Sequence, residues 1–132
     1  MAASSRKLAV ALATRLNAVV PKPLSVRAVG TEVHVYNGTR FEGSSPASEI
    51  VDDDDGRSLA EKADWASSAV VNGIQDVVAR TLTEQWPLLP GAEMAIAHAR
   101  TDGEHIYIWF GDLEAPALVL PPIDISELEN GD

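Results

Sequence analysis

The stretch SLAEKADWASSAVVNGIQDVVARTLTEQW, residues 58–86, decides the fold. Leu59, Ala63, Ala66, Val70, Ile74, Val77, Val78 and Leu82 recur three and four residues apart. That spacing lines one face of an α-helix and no face of a strand. Ser58 and Glu61 form a Ser-x-x-Glu capping box: the serine oxygen accepts a free N–H of the first turn and the glutamate reaches back. Trp86-Pro87 stops the pattern, because proline has no N–H and disfavours helical backbone before it. A helix is therefore predicted from about Leu59 to Gln85, a length of about 40 Å.

Upstream, Leu8, Leu12, Leu16 and Val19 predict a first helix over about 5–19, with Ser4 or Ser5 as N-cap and Pro21-Lys22-Pro23 as its end. Arg6-Lys7 before Leu8 to Ala13 imitates a signal peptide. The apolar run stops at Arg15, short of the ~7–15 residues such a segment uses, so the helix is the better reading. Leu24 to Ala28 and Glu32 to Tyr36 alternate apolar and polar around Gly30-Thr31, which is a hairpin pattern. Asn37-Gly38 is read as a type I′ turn leading to a third strand, Thr39 to Glu42. Residues 43–57 are read as a loop, within which Ile50-Val51 docks or makes a brief strand.

Downstream, Glu93 to Arg100 and Glu104 to Phe110 flank Asp102-Gly103, again read as type I′. That turn pairs Arg100 with His105, His98 with Tyr107 and Ile96 with Trp109. One face is then Ala95, Ala97, Ala99, Ile106, Ile108 and Phe110, small enough to approach the long helix. The other carries Met94, Ile96, His98, Arg100, His105, Tyr107 and Trp109. Leu118-Val119-Leu120 is a last strand, ended by Pro121-Pro122. These readings give an α+β fold: helix, two or three strands, long helix, three strands. Two helices pack on one face of a five- or six-stranded antiparallel sheet. Residues 1–122 form one domain, and 123–132 are an acidic, frayed tail.

The 132 residues carry a net charge of −10, unevenly distributed. Residues 1–40 sum to +5 and residues 41–132 to −15. Such a surface is predicted to repel nucleic acid and anionic membrane, except near the N-terminus, and to favour solubility or a basic partner. It has no cysteine, which removes disulfides, thiol nucleophiles and thiolate metal sites. With no apolar run near the ~20 residues of a membrane span, the reading is cytoplasmic.

Chemistry-bearing motifs are few. Asp52-Asp53-Asp54-Asp55-Gly56 invites a calcium or magnesium reading. Aligning Gly56 with the glycine of an EF-hand loop puts Val51 and Lys62 at positions that need oxygen ligands. These carboxylates are better placed to favour the following helix N-terminus electrostatically. His98 and His105 share a sheet face with Tyr107, a possible metal or acid–base set. That face receives no carboxylate from the same pairing, and cross-strand packing is the plainer reading. No Gly-x-Ser-x-Gly, P-loop or Gly-x-Gly-x-x-Gly is present, and no catalytic residue or cofactor is assigned. Met94, Ile96, His98, Tyr107 and Trp109 form the candidate partner-binding surface, since one face of an antiparallel sheet is commonly left open. Trp65 and Trp86, at the two ends of the long helix, are read as packing residues.

In element order over residues 5–120 the chain is similar to the small acidic chaperones of bacterial type III secretion and to YbjN-like proteins. The resemblance implies helices packed on a twisted antiparallel sheet, no active site, dimerisation, and binding of an unfolded partner segment. No motif matches residue for residue, so no functional position carries over. The leading expectation is a non-enzymatic, chaperone-like or adaptor interaction module, a homodimer acting through the open sheet face. The alternatives are a small-ligand or metal binder, or an enzyme, using the 93–110 hairpin, and an acidic mimic of nucleic acid.

Overall fold

The computed structural model describes residues 5–47, 59–83, 86, 95–112 and 114–128. Helix α1 (Ser5–Asn17) leads into strands β1 (Leu24–Val29), β2 (Glu32–Asn37) and β3 (Arg40–Pro46). Helix α2 (Leu59–Leu82) follows, then β4 (Ala97–Asp102), β5 (His105–Asp112), β6 (Ala115–Asp124) and a 3-10 turn over Ile125–Leu128. The α+β class and the element order stand as read. The strands, taken from sequence as one sheet, form two three-stranded antiparallel sheets, β1-β2-β3 and β4-β5-β6.

Both helices are wider in their burial than a single stripe. On α1, Ala9, Ala11 and Ala13 are buried beside Leu8, Leu12 and Leu16. On α2, Val71 joins Ala66, Val70, Ile74, Val77 and Val78, and the polar Ser67 and Gln75 are buried with them. The inward strand positions Leu24, Val26, Val33, Val35, Ile106, Ile108 and Phe110 complete one hydrophobic cluster with these helices.

Helix α2 touches the two sheets through different flanks. Gly73 and Val77 press on Ser45 and Gly43 of β3, and the Arg80 guanidinium donates to the Glu42 carbonyl at 3.3 Å. At 3.6 residues per turn, Ser68 and Gln75 lie on the opposite flank. The Gln75 amide nitrogen donates to the carbonyls of Ala95 and Trp86, and its oxygen accepts the Ala97 N–H at 3.2 Å. The Ser68 hydroxyl reaches the Ala99 carbonyl at 3.5 Å, at the long limit for a hydrogen bond. Residues 95, 97 and 99 are the ones whose backbone groups point away from β5. Gln75 therefore bonds β4 as a neighbouring strand would, taking a carbonyl and an N–H two residues apart.

Of the three tight hairpin turns, the first falls at Gly30-Thr31 as read and the other two correct the expected registers. Val29 pairs with Glu32, Asn37 with Arg40, and Asp102 with His105. The central residues are Gly30-Thr31, Gly38-Thr39 and Gly103-Glu104, each glycine at φ +64°. Glycine alone at the first central position is the type II′ arrangement, not the type I′ expected at Asn37-Gly38 and Asp102-Gly103. The β4–β5 pairing consequently moves by two: Arg100 faces Tyr107 and His98 faces Trp109. A two-residue shift keeps every side chain on its face, so the inward and outward sets survive.

Element ends differ as well. Helix α2 stops at Leu82, and Thr83 turns out of it at φ 55°. This is the left-handed region, which a β-branched residue enters only with strain. Strand β6 runs through Pro121-Pro122 instead of ending there. The prolines fall at a bulge between the pairs Ile106–Ile123 and Ile108–Leu120, on an edge strand, where a missing N–H costs no ladder bond. Of the tail expected over 123–132, the described residues 123–128 complete β6 and form the 3-10 turn, with Leu128 fully buried. Arg15 holds this segment to α1, donating to the carbonyls of Pro121 at 2.8 Å and Pro122 at 2.9 Å. The Ser58–Glu61 capping box and the Ile50-Val51 segment lie outside the described residues and side chains.

Replacing Gln75 with leucine keeps the volume but strips hydrogen bonds from buried backbone groups. It is expected to lower stability by about 2–4 kcal/mol in urea unfolding. A β-carbon on Gly73 would stand 2.6 Å from the Ser45 hydroxyl oxygen. Gly73→Ala is therefore expected to destabilise by about 1–2 kcal/mol, against the ~1 kcal/mol gain alanine brings to an open helix. Ser45→Gly in the same chain is expected to return most of that loss in a double-mutant cycle.

Candidate functional site

Alternation along β4 and β5 sends Ala97, Ile106, Ile108 and Phe110 inward and His98, Arg100, Tyr107 and Trp109 outward. Of the partner surface expected from sequence, Ile96, His98, Tyr107 and Trp109 are brought together on this outer face. Met94 lies outside the described residues. Ile96 is 57% exposed and Tyr107 43%. Val119 of β6, 59% exposed, pairs with Trp109 and extends the band across all three strands. Sequence reading missed Val119 because the register of β6 against β5 is not written in any local signal.

Trp109 is the half-buried centre. Its ring stacks on His98, centroids 5.3 Å apart and planes 24° from parallel. The indole Nε1 is buried without a hydrogen-bond partner. A buried donor without an acceptor costs free energy, so the site is under-satisfied as it stands. On the inner side of the same strand, Phe110 is fully buried and meets Trp86 edge-on at 5.4 Å. Trp86 thus packs, as read.

The histidines do not converge. His105 lies near Tyr107, ring centroids 6.1 Å apart, at the turn end of the hairpin, whereas His98 sits against Trp109. His34 is on the other sheet, bonded to Glu32 at 2.9 Å. Among the described residues no group of three metal-ligating side chains forms. Asp52, Asp53, Asp54 and Asp55 lie outside the described residues. Asp124, beside the His105 end of β5, has its carboxyl held below the ordinary carboxylate range. The Ser126 N–H and hydroxyl donate to it, burial opposes them weakly, and His105 adds attraction. The stability this lends is present above the ordinary carboxylate range and lost as pH falls through the lowered value.

A second outward cluster, not foreseen, lies on β1-β2-β3. His34, Tyr36 and Phe41 form a triangle of rings 5.1–6.1 Å apart, with Phe41 52% exposed. The Arg27 guanidinium lies 4.7 Å over Tyr36. His34 and Tyr36 alternate visibly in sequence, but Phe41 joins them only through the turn at Gly38 and a bulge between Val35 and Tyr36.

Two open concavities flank α1. One, of about 370 Å³, lies between Val10, Ala13, Thr14 and Asn17 of α1 and Val26, Arg27 and Ala28 of β1. The other, of about 410 Å³, shares Val10 and Thr14 and is rimmed by Arg6, Lys7, Arg15 and Glu127.

Trp109→Phe removes the unpaired indole donor from a half-exposed site and is expected to change unfolding free energy by less than about 1 kcal/mol. Phe110→Ala, one residue away on the inner face, is expected to cost about 3–5 kcal/mol in the same chemical denaturation. Comparison of the chain with known protein families, with curated proteins and with solved structures finds no match.

Proposed function

We propose that this chain is a cytoplasmic, non-enzymatic interaction module that forms a homodimer through the outer face of β4-β5-β6. Its role is chaperone-like or that of an adaptor, in keeping with the element order it shares with the small acidic secretion chaperones. The observation that carries the reading is the apolar band of Ile96, Tyr107 and Val119 around Trp109 on the face turned away from the core. Clustered apolar side chains on a sheet face mark association surfaces more often than chance exposure does. Aromatic rings there supply contact area at little entropic cost. The localisation is drawn from the lack of cysteine; among the described residues no helix is long and apolar enough to cross a membrane.

Light scattering over a concentration series tests the reading. The wild-type chain is expected to show a dimer mass that Tyr107→Ser and Val119→Asp each reduce to monomer, with circular dichroism unchanged. A wild-type monomer at every concentration, or a dimer indifferent to both substitutions, would sink it.

A further inference from the structure

We propose a second docking site, the groove between α1 and the edge of β1 that no described strand pairs, whose occupant is an extended acidic segment of a partner protein added as a strand. Strand β1 is an edge strand, and alternation from the Val29–Glu32 pair turns the backbone groups of Val26 and Ala28 away from β2. The Val26 N–H is taken by the Asn17 side chain at 2.9 Å. The Val26 carbonyl and both backbone groups of Ala28 face the groove. Extended segments add to such edges through main-chain hydrogen bonds, and alternate side chains supply specificity.

The chemistry of the walls selects the occupant. The floor is apolar: Val10, half exposed on α1, with Ala13, Val26 and Ala28. The rim is cationic. Arg27 lines the groove itself, and Arg6, Lys7 and Arg15 line a separate concavity beyond Val10 and Thr14; residues 1–40, which hold all four, sum to +5 in a chain of net charge −10. Glu127 is the acid among the lining residues, and it stands 3.8 Å from Arg15. A strand laid on β1 would direct alternate side chains to opposite faces. Small apolar residues would enter the floor beside Val10, and carboxylates would lie on the Arg27 side. Charge complementarity of this kind sets partner choice and association rate.

The test is fluorescence anisotropy with a labelled ten-residue peptide in which valine and glutamate alternate, read against the full chain. The wild type is expected to bind it and to bind less well as salt is raised. Val10→Glu and Arg27→Glu, both at exposed positions, are each expected to weaken binding about fivefold or more. Arg6→Glu serves as the second charge variant should either of these fail to fold. Tyr107→Ser, on the other sheet, is expected to leave binding unchanged, which separates this site from the proposed dimer face. N-methylation of alternate peptide amides is expected to abolish binding, because it removes the donors a strand needs. No binding by the wild type at millimolar protein would overturn the proposal. So would equal binding of a valine–lysine peptide, indifference to the groove variants or to N-methylation, or loss of binding in Tyr107→Ser.

Discussion

The architecture turns on one side chain. Gln75 lies on an otherwise apolar helix flank, is 2% exposed, and bonds Trp86, Ala95 and Ala97 at once. A primary amide offers a donor and an acceptor in one plane, which is what the edge of a strand requires. The start of the β4 edge is consequently matched without a fourth strand, and α2 lies against both β3 and β4. The two sheets share a helix in place of a ladder. Buried strand edges are tolerated only when their N–H and carbonyl groups are matched, so the division into two sheets and the presence of Gln75 are one fact.

This explains which parts of the fold were legible. Periodicity alone located α1, α2 and the inward positions of β4 and β5, because Leu, Val, Ile and Ala at those spacings have few other uses. It did not separate one sheet from two. The residue that separates them is polar, and a hydrophobic pattern passes over it. The turns were read by dipeptide, which located each hairpin but placed Gly38 and Gly103 second in the turn when each is first. The resulting error of two residues spared the faces and changed the neighbours. Trp109 stayed on the outer face but gained His98 in place of Ile96. The candidate band was therefore visible as a set of residues and invisible as a set of contacts. Val119 was absent from it because a long-range register decides its place.

The treatment of the other edges follows the same logic. At the far side of the second sheet, β6 carries Pro116, Pro121 and Pro122, and Arg15 occupies the carbonyls of the last two. Proline and charge on an edge are the usual means of preventing unwanted strand addition. On the first sheet, β3 runs against α2, with Gly43 beside Val77 and Arg80 on the Glu42 carbonyl. Among the described residues, three of the four edges thus carry a side chain, a helix or a proline.

Strand β1 is the exception, and the exception is partial. Asn17 caps the Val26 N–H, which shortens the open stretch without closing it. Its sequence, LSVRAV, has one charge and no proline. In a chain that guards its other edges so thoroughly, an apolar and nearly uncharged edge is an aggregation hazard unless something limits what can approach. The surrounding charge supplies that limit. A net charge of −10 holds copies of this chain apart in general, while Arg27 beside β1, within a segment 1–40 of charge +5, inverts the sign locally. An acidic strand is drawn to that edge, and a basic one meets Arg27 first. Selectivity of this kind needs no closed pocket and no catalytic residue. It needs an unpaired edge, an apolar floor and a cation opposite in sign to the net charge, and β1, the Val10–Val26–Ala28 floor and Arg27 supply them among the described residues.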